Sequence, residues 1–368
     1  MMTSLYIHIP FCERKCFYCS FVVSIGQERR ADEYLQCLSE EADRYKGTTV
    51  ASIYLGGGTP SLLTPKQLDN LIQMIRRNFN VASDSEWTIE ANPEGLNLEK
   101  AKCFLDLGMN RVSLGMQSLH EKFLKYLGRC HDKQTALKAY EILRRAGLKN
   151  ISVDLMCSFP GQTMQELEED VRSICFLDSE HVSVYALTIE QNSRFYAQKV
   201  QLEDPHLQAE HYVRVRELLE ENGLRQYEIS NFAKLGFESK HNLNYWRGGN
   251  YFGLGVGAHS HQDGKRFWNG SRFADYMKKV QQGQSPVEGQ EILKNHERLM
   301  EVLLFGLRMR EGVDVERIQT DLSVRLDAQK RSLIDEFVRS RFLYWDETRL
   351  KTTLEGQLVL DELSMRLI

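Results

Sequence analysis

No apolar run in this chain reaches the ~18 residues that a membrane-spanning helix needs, so no segment reads as a transmembrane span. There is no basic excess either. Lys and Arg number 47 against 51 Asp and Glu, a formal net charge of −4, and such a chain presents no field for the phosphates of nucleic acid. The opening residues, MMTSLYIHIPF, lack a positively charged region ahead of an apolar one, so no secretory signal is expected. A basic amphipathic helix is also missing, and membrane contact is expected only through a partner protein. No low-complexity linker and no repeat of about 20–50 residues is visible beyond alternating strand and helix patterns. These absences leave a cytoplasmic globular protein as the expectation. Its 368 residues suffice for one large barrel or about two to three domains. Without an oxidising compartment, disulfides are not expected. Cys37, Cys103, Cys130, Cys157 and Cys175 fall on periodic or core-like segments and read as small buried hydrophobes.

The remaining cysteines are different. Cys12, Cys16 and Cys19 stand in the run FCERKCFYC, spaced C-x3-C-x2-C, with no fourth cysteine close behind. Three thiolates can hold three corners of a cubane [4Fe-4S] cluster and leave the fourth iron open to a ligand. The competing reading is zinc. Structural zinc takes four ligands, and the nearest further candidates, His8 and Cys37, do not sit at a usual zinc spacing. The spacing resembles that of the radical S-adenosylmethionine (radical SAM) proteins. In that family the open iron chelates the amino and carboxylate groups of SAM, and one electron then breaks the sulfonium bond.

From residue 4 to about 190, short apolar runs alternate with amphipathic stretches. The periodicities predict strands at 5–9, 51–55, 87–91, 111–114, 151–155 and 182–187, and helices at 31–46, 65–78, 97–107, 132–146 and 163–178. Repeats of this kind argue an α/β fold, a parallel sheet curled by right-handed crossovers into a partial (β/α)6 barrel. Its site is expected at the C-terminal ends of the strands. We expect this barrel over 1–205, an extension over 206–285, and a smaller C-terminal helical or α+β domain over 286–368. That last domain reads either as a winged-helix-like module or as a small α+β cap on the barrel. The absence of clustered Lys and Arg favours the cap over a DNA-binding role.

Polar residues gather at the expected strand ends. Gly56-Gly57-Gly58-Thr59-Pro60 follows the second strand, where glycines let a ligand approach the backbone closely; a plain tight turn is the alternative. Glu90 closes the third strand in IEANPE, Gln117 lies just past the fourth in RVSLGMQS, Arg129 stands in LGRCH, and Asp154 ends the fifth in VDLM. Arg offers bidentate contact to a carboxylate, and Asp or Glu accepts from ribose hydroxyls. Taken singly, each of these is as readily a surface residue.

The runs YIHIPFCERKCFYC, GGGTPS, IEANPE, RVSLGMQS, DLMCSFPGQT and YEISNF follow one another over roughly residues 5–260. Together they resemble the oxygen-independent coproporphyrinogen oxidase group of radical SAM proteins. The resemblance implies that Cys12, Cys16 and Cys19 bind the cluster. It implies further that Tyr6, Gly57, Gly58, Thr59, Glu90, Gln117, Arg129 and Asp154 bind SAM. Two branches of the group differ. The oxidase carries a fourth cysteine, as C-x3-C-x2-C-x-C, and a long N-terminal arm; here Phe21 holds that position and eleven residues precede Cys12. The HemW-type heme chaperone branch has the phenylalanine, the short start and an H-N-x-x-Y-W run. This chain carries that run whole as His241, Asn242, Tyr245 and Trp246 in SKHNLNYW.

Such a run makes chemical sense for heme. A neutral histidine ligates heme iron well, Tyr and Trp offer flat apolar faces, and Asn242 could fix the imidazole tautomer. The alternative is a hydrogen-bonded histidine beside core aromatics. His259 and His261 follow in and after GLGVGAHS and are either structural or part of the same pocket. The resemblance thus implies a heme chaperone that delivers heme to apo-hemoproteins, with a [4Fe-4S] cluster, SAM and an electron donor. The rival is oxidative decarboxylation of the propionates of coproporphyrinogen III, and a radical SAM methylase or cyclopropanase is a third possibility. Two residues depart from the branch: Ser20, where aspartate is usual, and Cys157-Ser158, where Tyr-Gly is usual. The second departure is expected to alter the pocket wall next to Asp154.

Overall fold

The computed structural model describes residues 3–368. Its centre is six parallel strands, each hydrogen-bonded to the next. They are β1 (Thr3–Ile9), β2 (Thr49–Gly57), β3 (Asn80–Ala91), β4 (Arg111–Gln117), β5 (Ile151–Cys157) and β6 (His181–Ala186). The connecting helices are α1 (Ala31–Ala42), α2 (Pro65–Asn78), α3 (Leu98–Asp106), α4 (Glu121–Leu127), α5 (Lys133–Ala146) and α6 (Met164–Phe176). Local chemistry sets their ends. Thr64 and Gln67 close a capping box at the start of α2, with Pro65 as its first residue, and Thr163 and Glu166 do the same for α6. Gly147, at φ 107°, stops α5 in the left-handed conformation that glycine adopts without a Cβ clash. The short helix α4 was not expected.

Alternation along the strands divides two environments. In β4, Val112, Leu114 and Met116 are fully buried and belong to the main core with Leu5, Ile7, Ile53 and Leu71. Arg111, Ser113, Gly115 and Gln117 face the barrel interior instead. Parallel strands ordinarily bury apolar residues on both faces, so a polar inner face marks the interior as a site. Strands β4 and β5 run past their expected ends, which places Asp154 within β5 rather than at its end.

The sheet continues on both sides. After α7 (Pro205–Glu221), strands β7 (Arg225–Glu228) and β8 (Asn231–Ala233) add antiparallel to the β6 edge. Helix α8 (Lys240–Trp246) follows, and then β9 (Tyr251–Leu254) pairs parallel with β1. Strands β10 (His259–Gln262), β11 (Lys265–Asn269) and, after α9 (Phe273–Gln281), β12 (Val287–Ile292) extend that edge antiparallel. The result is one twelve-stranded sheet in the order β12-β11-β10-β9-β1-β2-β3-β4-β5-β6-β8-β7, an open, partial barrel.

A separate apolar core, including Leu299, Leu303, Leu307, Phe337, Leu350 and Leu363, forms beyond the sheet. Its elements are α10 (Asn295–Leu307), β13 (Val313–Asp314), α11 (Val315–Asp321), α12 (Ala328–Arg339), β14 (Leu343–Asp346) and β15 (Arg349–Thr352). Two short helices, Leu354–Leu358 and Leu360–Leu367, follow. Helix, strand, helix, helix and a hairpin, with sheet order β13-β15-β14, is the winged-helix order; the tip expected to have two strands has three. Helix α12 mixes Lys330 and Arg331 with Asp335 and Glu336, so it carries no basic stripe. Among the described residues no helix is long and apolar enough to cross a membrane.

Candidate functional site

A cavity of about 500 Å³ opens at the C-terminal ends of the central strands, and Cys12, Cys16 and Cys19 all line it. Backbone bonds hold their loop. The Phe17 N–H donates to the Leu127 carbonyl at 2.9 Å, Ser24 to Pro10 at 2.7 Å, and Cys19 to Cys16 at 3.2 Å. The Phe17 ring packs on Gly128 so closely that a Cβ there would lie 2.8 Å from it, and the Arg194 guanidinium lies over the ring, 4.1 Å from its centroid. All three thiols are free. Burial pushes the Cys12 thiol up to about 11 and raises Cys19 as well, protons that a thiolate-binding iron must displace. Among the described residues no three His, Cys, Asp or Glu side chains gather tightly enough for one metal ion. The three thiols share one loop and line one cavity. Donors stand ready for the sulfurs: Thr59 Oγ1 is 3.4 Å from Cys12 Sγ, and Arg129 Nη1 is 3.4 Å from Cys16 Sγ. The donor set therefore fits a thiolate-held [4Fe-4S] cluster.

The glycine run forms the adjacent wall. Gly57 sits at φ 111°, and a Cβ on it would lie 2.4 Å from the His8 ring. At Gly58 a Cβ would meet the Phe11 carbonyl at 2.6 Å, because the Gly58 and Thr59 N–H groups donate to the Ile9 and Phe11 carbonyls at 2.8 and 2.7 Å. This cross-bonding ties the glycine loop to the strand that enters the cysteine loop.

Charged groups line the interior beneath. Glu90 accepts from Tyr54 Oη at 2.8 Å and from the Gly57 N–H at 2.9 Å, and burial raises its pKa to about 7. Asp154 accepts from Ser113 Oγ at 2.9 Å, and burial raises it too. Gln117 closes β4 at φ 67°, a left-handed conformation uncommon outside glycine that redirects its side chain. Arg129 Nη2 donates to Asn92 Oδ1 at 2.6 Å and to the Gly115 carbonyl at 2.9 Å. Its two outer nitrogens are thus committed to the protein and to Cys16, and a bidentate grip on a carboxylate requires these bonds to be exchanged.

The cavity also exposes groups that the motifs did not single out. Tyr54, Asn92 and Ser113 belong to the polar wall. Arg111 is only 2% exposed, and among the described residues its side chain has no hydrogen bond or ion pair. Its charge opposes the upward shifts of Glu90 and Asp154. The i, i+2 alternation of Arg111, Ser113 and Gly115 up to Gln117 in RVSLGMQ was the available signal.

The H-N-x-x-Y-W run is helix α8, and its side chains point to different places. Glu86 accepts from Ser239 Oγ and from the N–H groups of Lys240 and His241, which places negative charge at the helix start. Asn242 faces the cluster cavity. His241 does not. Its Nδ1 is 2.9 Å from Ser52 Oγ and its Nε2 is 3.0 Å from Tyr245 Oη. Ser52 donates its own proton to Ser4, so it must accept from His241 Nδ1–H, and the Nε2 lone pair then accepts from Tyr245. Burial, with Arg111 adding to it, lowers the His241 pKa to about 3. The imidazole is neutral, as axial ligation requires, but both nitrogens are engaged inside the wall. Tyr245 lines a second cavity of about 380 Å³. Trp246 packs edge-on against Phe305 of α10, under Arg308 at 4.6 Å.

Two further expectations meet a different geometry. Tyr6 does not line the cluster cavity: it bonds His8 Nδ1 at 3.0 Å and stacks behind Tyr54. The Cys157-Ser158 departure does not reach the wall beside Asp154, because Met156 fills that position. Ser158 is fully buried at φ 58°, a conformation in which the usual glycine would be unstrained.

Residues 6–174 match the Radical SAM superfamily, and residues 293–359 match the HemN C-terminal domain. The chain is 38% identical over 370 residues to the heme chaperone HemW of Bacillus subtilis (strain 168), covering 98% of both. It is 40% identical over 261 residues to the heme chaperone HemW of Escherichia coli (strain K12), 70% of this chain and 69% of that one. It is 32% identical over 379 residues to the mitochondrial radical S-adenosyl methionine domain-containing protein 1 of Danio rerio, covering 98% and 85%. The structure of coproporphyrinogen III oxidase (HemN) from Escherichia coli superposes with a TM-score of 0.88 at 22% identity, over 100% of this chain and 90% of that one; this likeness speaks to the fold.

Proposed function

The chain belongs to the HemW family of radical SAM proteins, and from that premise we propose that it binds heme and hands it to apo-hemoproteins while holding a [4Fe-4S] cluster and SAM in its barrel. The observation that carries the heme part is the position of α8: the intact H-N-x-x-Y-W run stands between the cluster cavity and a second cavity lined by aromatic residues. One helix thus touches both, a sensible arrangement for coupling cofactor state to heme handling.

In this reading Cys12, Cys16 and Cys19 would hold the cluster, with Thr59 and Arg129 as donors to the sulfurs of Cys12 and Cys16. When bound, cluster and SAM supply one-electron cleavage of the sulfonium bond, which needs an external electron donor. Gly57 and Gly58 bring bare backbone to the ligand. Glu90 and Asp154 would serve as acceptors for its ammonium and hydroxyl groups, Gln117 would donate an amide, and Arg129 would orient the set. Tyr6 acts through Tyr54. Tyr245 and Trp246 join the heme-bearing side to the C-terminal unit, and His241 and Asn242 set the wall between the cavities. Free thiols throughout accord with a cytoplasmic location.

The deciding experiment is an anaerobic heme titration of the cluster-reconstituted protein followed by absorbance. Saturable binding near one heme per chain supports the proposal. Absence of saturable binding would remove it and direct attention to radical decarboxylation of coproporphyrinogen III, read as vinyl product over many turnovers. Phe21, 63% exposed on the cluster cavity where the oxidase carries a cysteine, speaks against that rival.

A further inference from the structure

The second cavity takes no part in holding the cluster or SAM. Strand register explains how it forms. Ser4 of β1 pairs with Tyr251, Tyr251 with His261, and His259 with Trp268, so these side chains share one face of the sheet. Helix α8 lies across that face, with Asn242 toward the cluster cavity and Tyr245 toward the second. Phe305 of α10 forms the far wall.

An axial iron ligand needs a free nitrogen lone pair. His241 has none available, as described above. His261 also faces the second cavity, but its Nδ1 is 3.1 Å from the Gly249 carbonyl and its Nε2 accepts the Gly264 N–H at 3.2 Å. His259 is different. Among the described residues its ring makes no hydrogen bond, it is exposed to the cavity, and it lies nearly parallel to Trp268, at 5.7 Å and 21°. Burial, with Arg266 adding to it, holds its pKa below the usual histidine value, so the ring is neutral at pH 7 and its lone pair is open.

We propose that this second cavity is the heme seat and that His259 is the axial ligand to its iron. The proposal rests on the heme-carrying reading above and names the site that performs it. Tyr245, Tyr251 and Phe305 supply aromatic faces for the macrocycle. Arg266, paired with Glu291 at 2.8 Å and also with Glu301, can exchange a protein carboxylate for a propionate. Arg298, whose side chain lies against Gly264, offers a second guanidinium nearby. A seat open to solvent, with a single imidazole on the iron, suits cargo that must leave. His241 becomes a positioning residue, fixing the Tyr245 hydroxyl from within the wall.

The test is an anaerobic titration of hemin, reduced in place, into the cluster-loaded full chain and its His259→Ala and His241→Ala variants, read as affinity and as the absorbance of a histidine-ligated heme. We expect His259→Ala to weaken binding at least tenfold and to lose that signature, with external imidazole restoring it. His259→Met, which keeps a ligand of another kind, should bind with a changed spectrum, a result that a folding defect would not produce. Unchanged affinity and spectrum in His259→Ala, with loss in His241→Ala, would overturn the proposal. If both variants lose the signature, imidazole rescue of His259→Ala alone supports it, and rescue of His241→Ala alone overturns it. Failure of the unmodified protein to bind hemin would sink the heme reading itself.

Discussion

Glu41 offers a quantitative test of how the barrel closes around the cysteine loop. It is 1% exposed, on α1, and its carboxylate accepts three bonds: from the Gly255 N–H at 2.8 Å, Asn269 Nδ2 at 2.6 Å and Tyr276 Oη at 2.7 Å. These join α1 to the glycine-rich loop after β9 and to α9. Burial outweighs the bonds, and its pKa rises from 4.5 to about 7. A raised carboxylate pKa means that the folded state holds its proton to higher pH than the unfolded state. Stability from this group is therefore full below the unfolded value, falls as pH rises toward the folded value, and is constant above. At about 1.4 kcal/mol per pKa unit, a shift of this size amounts to about 3 kcal/mol in all. About 2–3 kcal/mol of it is lost between pH 5 and pH 8. In Glu41→Gln nothing titrates, and loss of one accepting oxygen costs about 1 kcal/mol at every pH. The wild-type stability minus that of Glu41→Gln should therefore fall by about 2–3 kcal/mol from pH 5 to pH 8, and the variant should be the more stable at pH 8. Urea unfolding of the cluster-free chain, followed by circular dichroism at both pH values, measures it; all other titrating groups cancel in the difference. A difference that stays constant with pH, or grows in favour of wild type at pH 8, refutes the reasoning.

Other sites give simpler tests. In Gly58→Ala the new Cβ meets backbone atoms of Phe11, Pro10 and Ile9 at 2.6–2.8 Å, and no flexible side chain can yield; a loss of about 1–3 kcal/mol is expected, seen as a lower melting temperature with poorer cluster incorporation. In Thr59→Val the hydroxyl at 3.4 Å from Cys12 Sγ disappears while the volume stays. The cluster should still assemble, with a more negative reduction potential because a hydrogen bond to sulfur is gone; redox titration by electron paramagnetic resonance that finds no shift, or a positive one, contradicts this. Cluster loading should protect Cys12, Cys16 and Cys19 from alkylation and leave the exposed Cys130 reactive, as peptide mass spectrometry can read; protection of Cys130 instead would misplace the cluster.

Sequence patterns located the elements well where local chemistry was strong. Thr64-Pro65 with Gln67 announces the start of α2, and its apolar face repeats at helical spacing up to Asn78, so 65–78 was read correctly. Helix α4 was missed because EKFLKYL is too short for periodicity; its burial depends on Phe123 stacking against Phe159, some way along the chain. Strand β10, HSHQ, has no apolar alternation, since His259 and His261 share the face toward the second cavity. The cysteine loop, glycine turn and acidic residues were legible because each is a compact local motif. The state of His241 was not, because it depends on Ser52, 189 positions away.

The extension of β4 and the polar residues of the cavity wall share one physical cause. Strand β4 continues to Gln117, past the end at Leu114 that the apolar run predicts, because Gly115 and Gln117 interrupt that run. In a parallel sheet covered on both faces such residues would end a strand, since a buried polar group without a partner is costly. Here one face lines a cavity, and polar residues at alternate positions keep the strand intact while equipping the site. Arg111 and Ser113 followed by Asp154 on the neighbouring strand trace that inner face, and His259 opposite Trp268 continues the same logic in the antiparallel extension of the sheet. For this fold, alternation of apolar with polar residues inside a central strand marks the ligand-bearing face more directly than the motifs at the strand ends. By that criterion Arg111, buried, and His259, exposed to a cavity, stand out: among the described residues neither side chain has a hydrogen-bond partner.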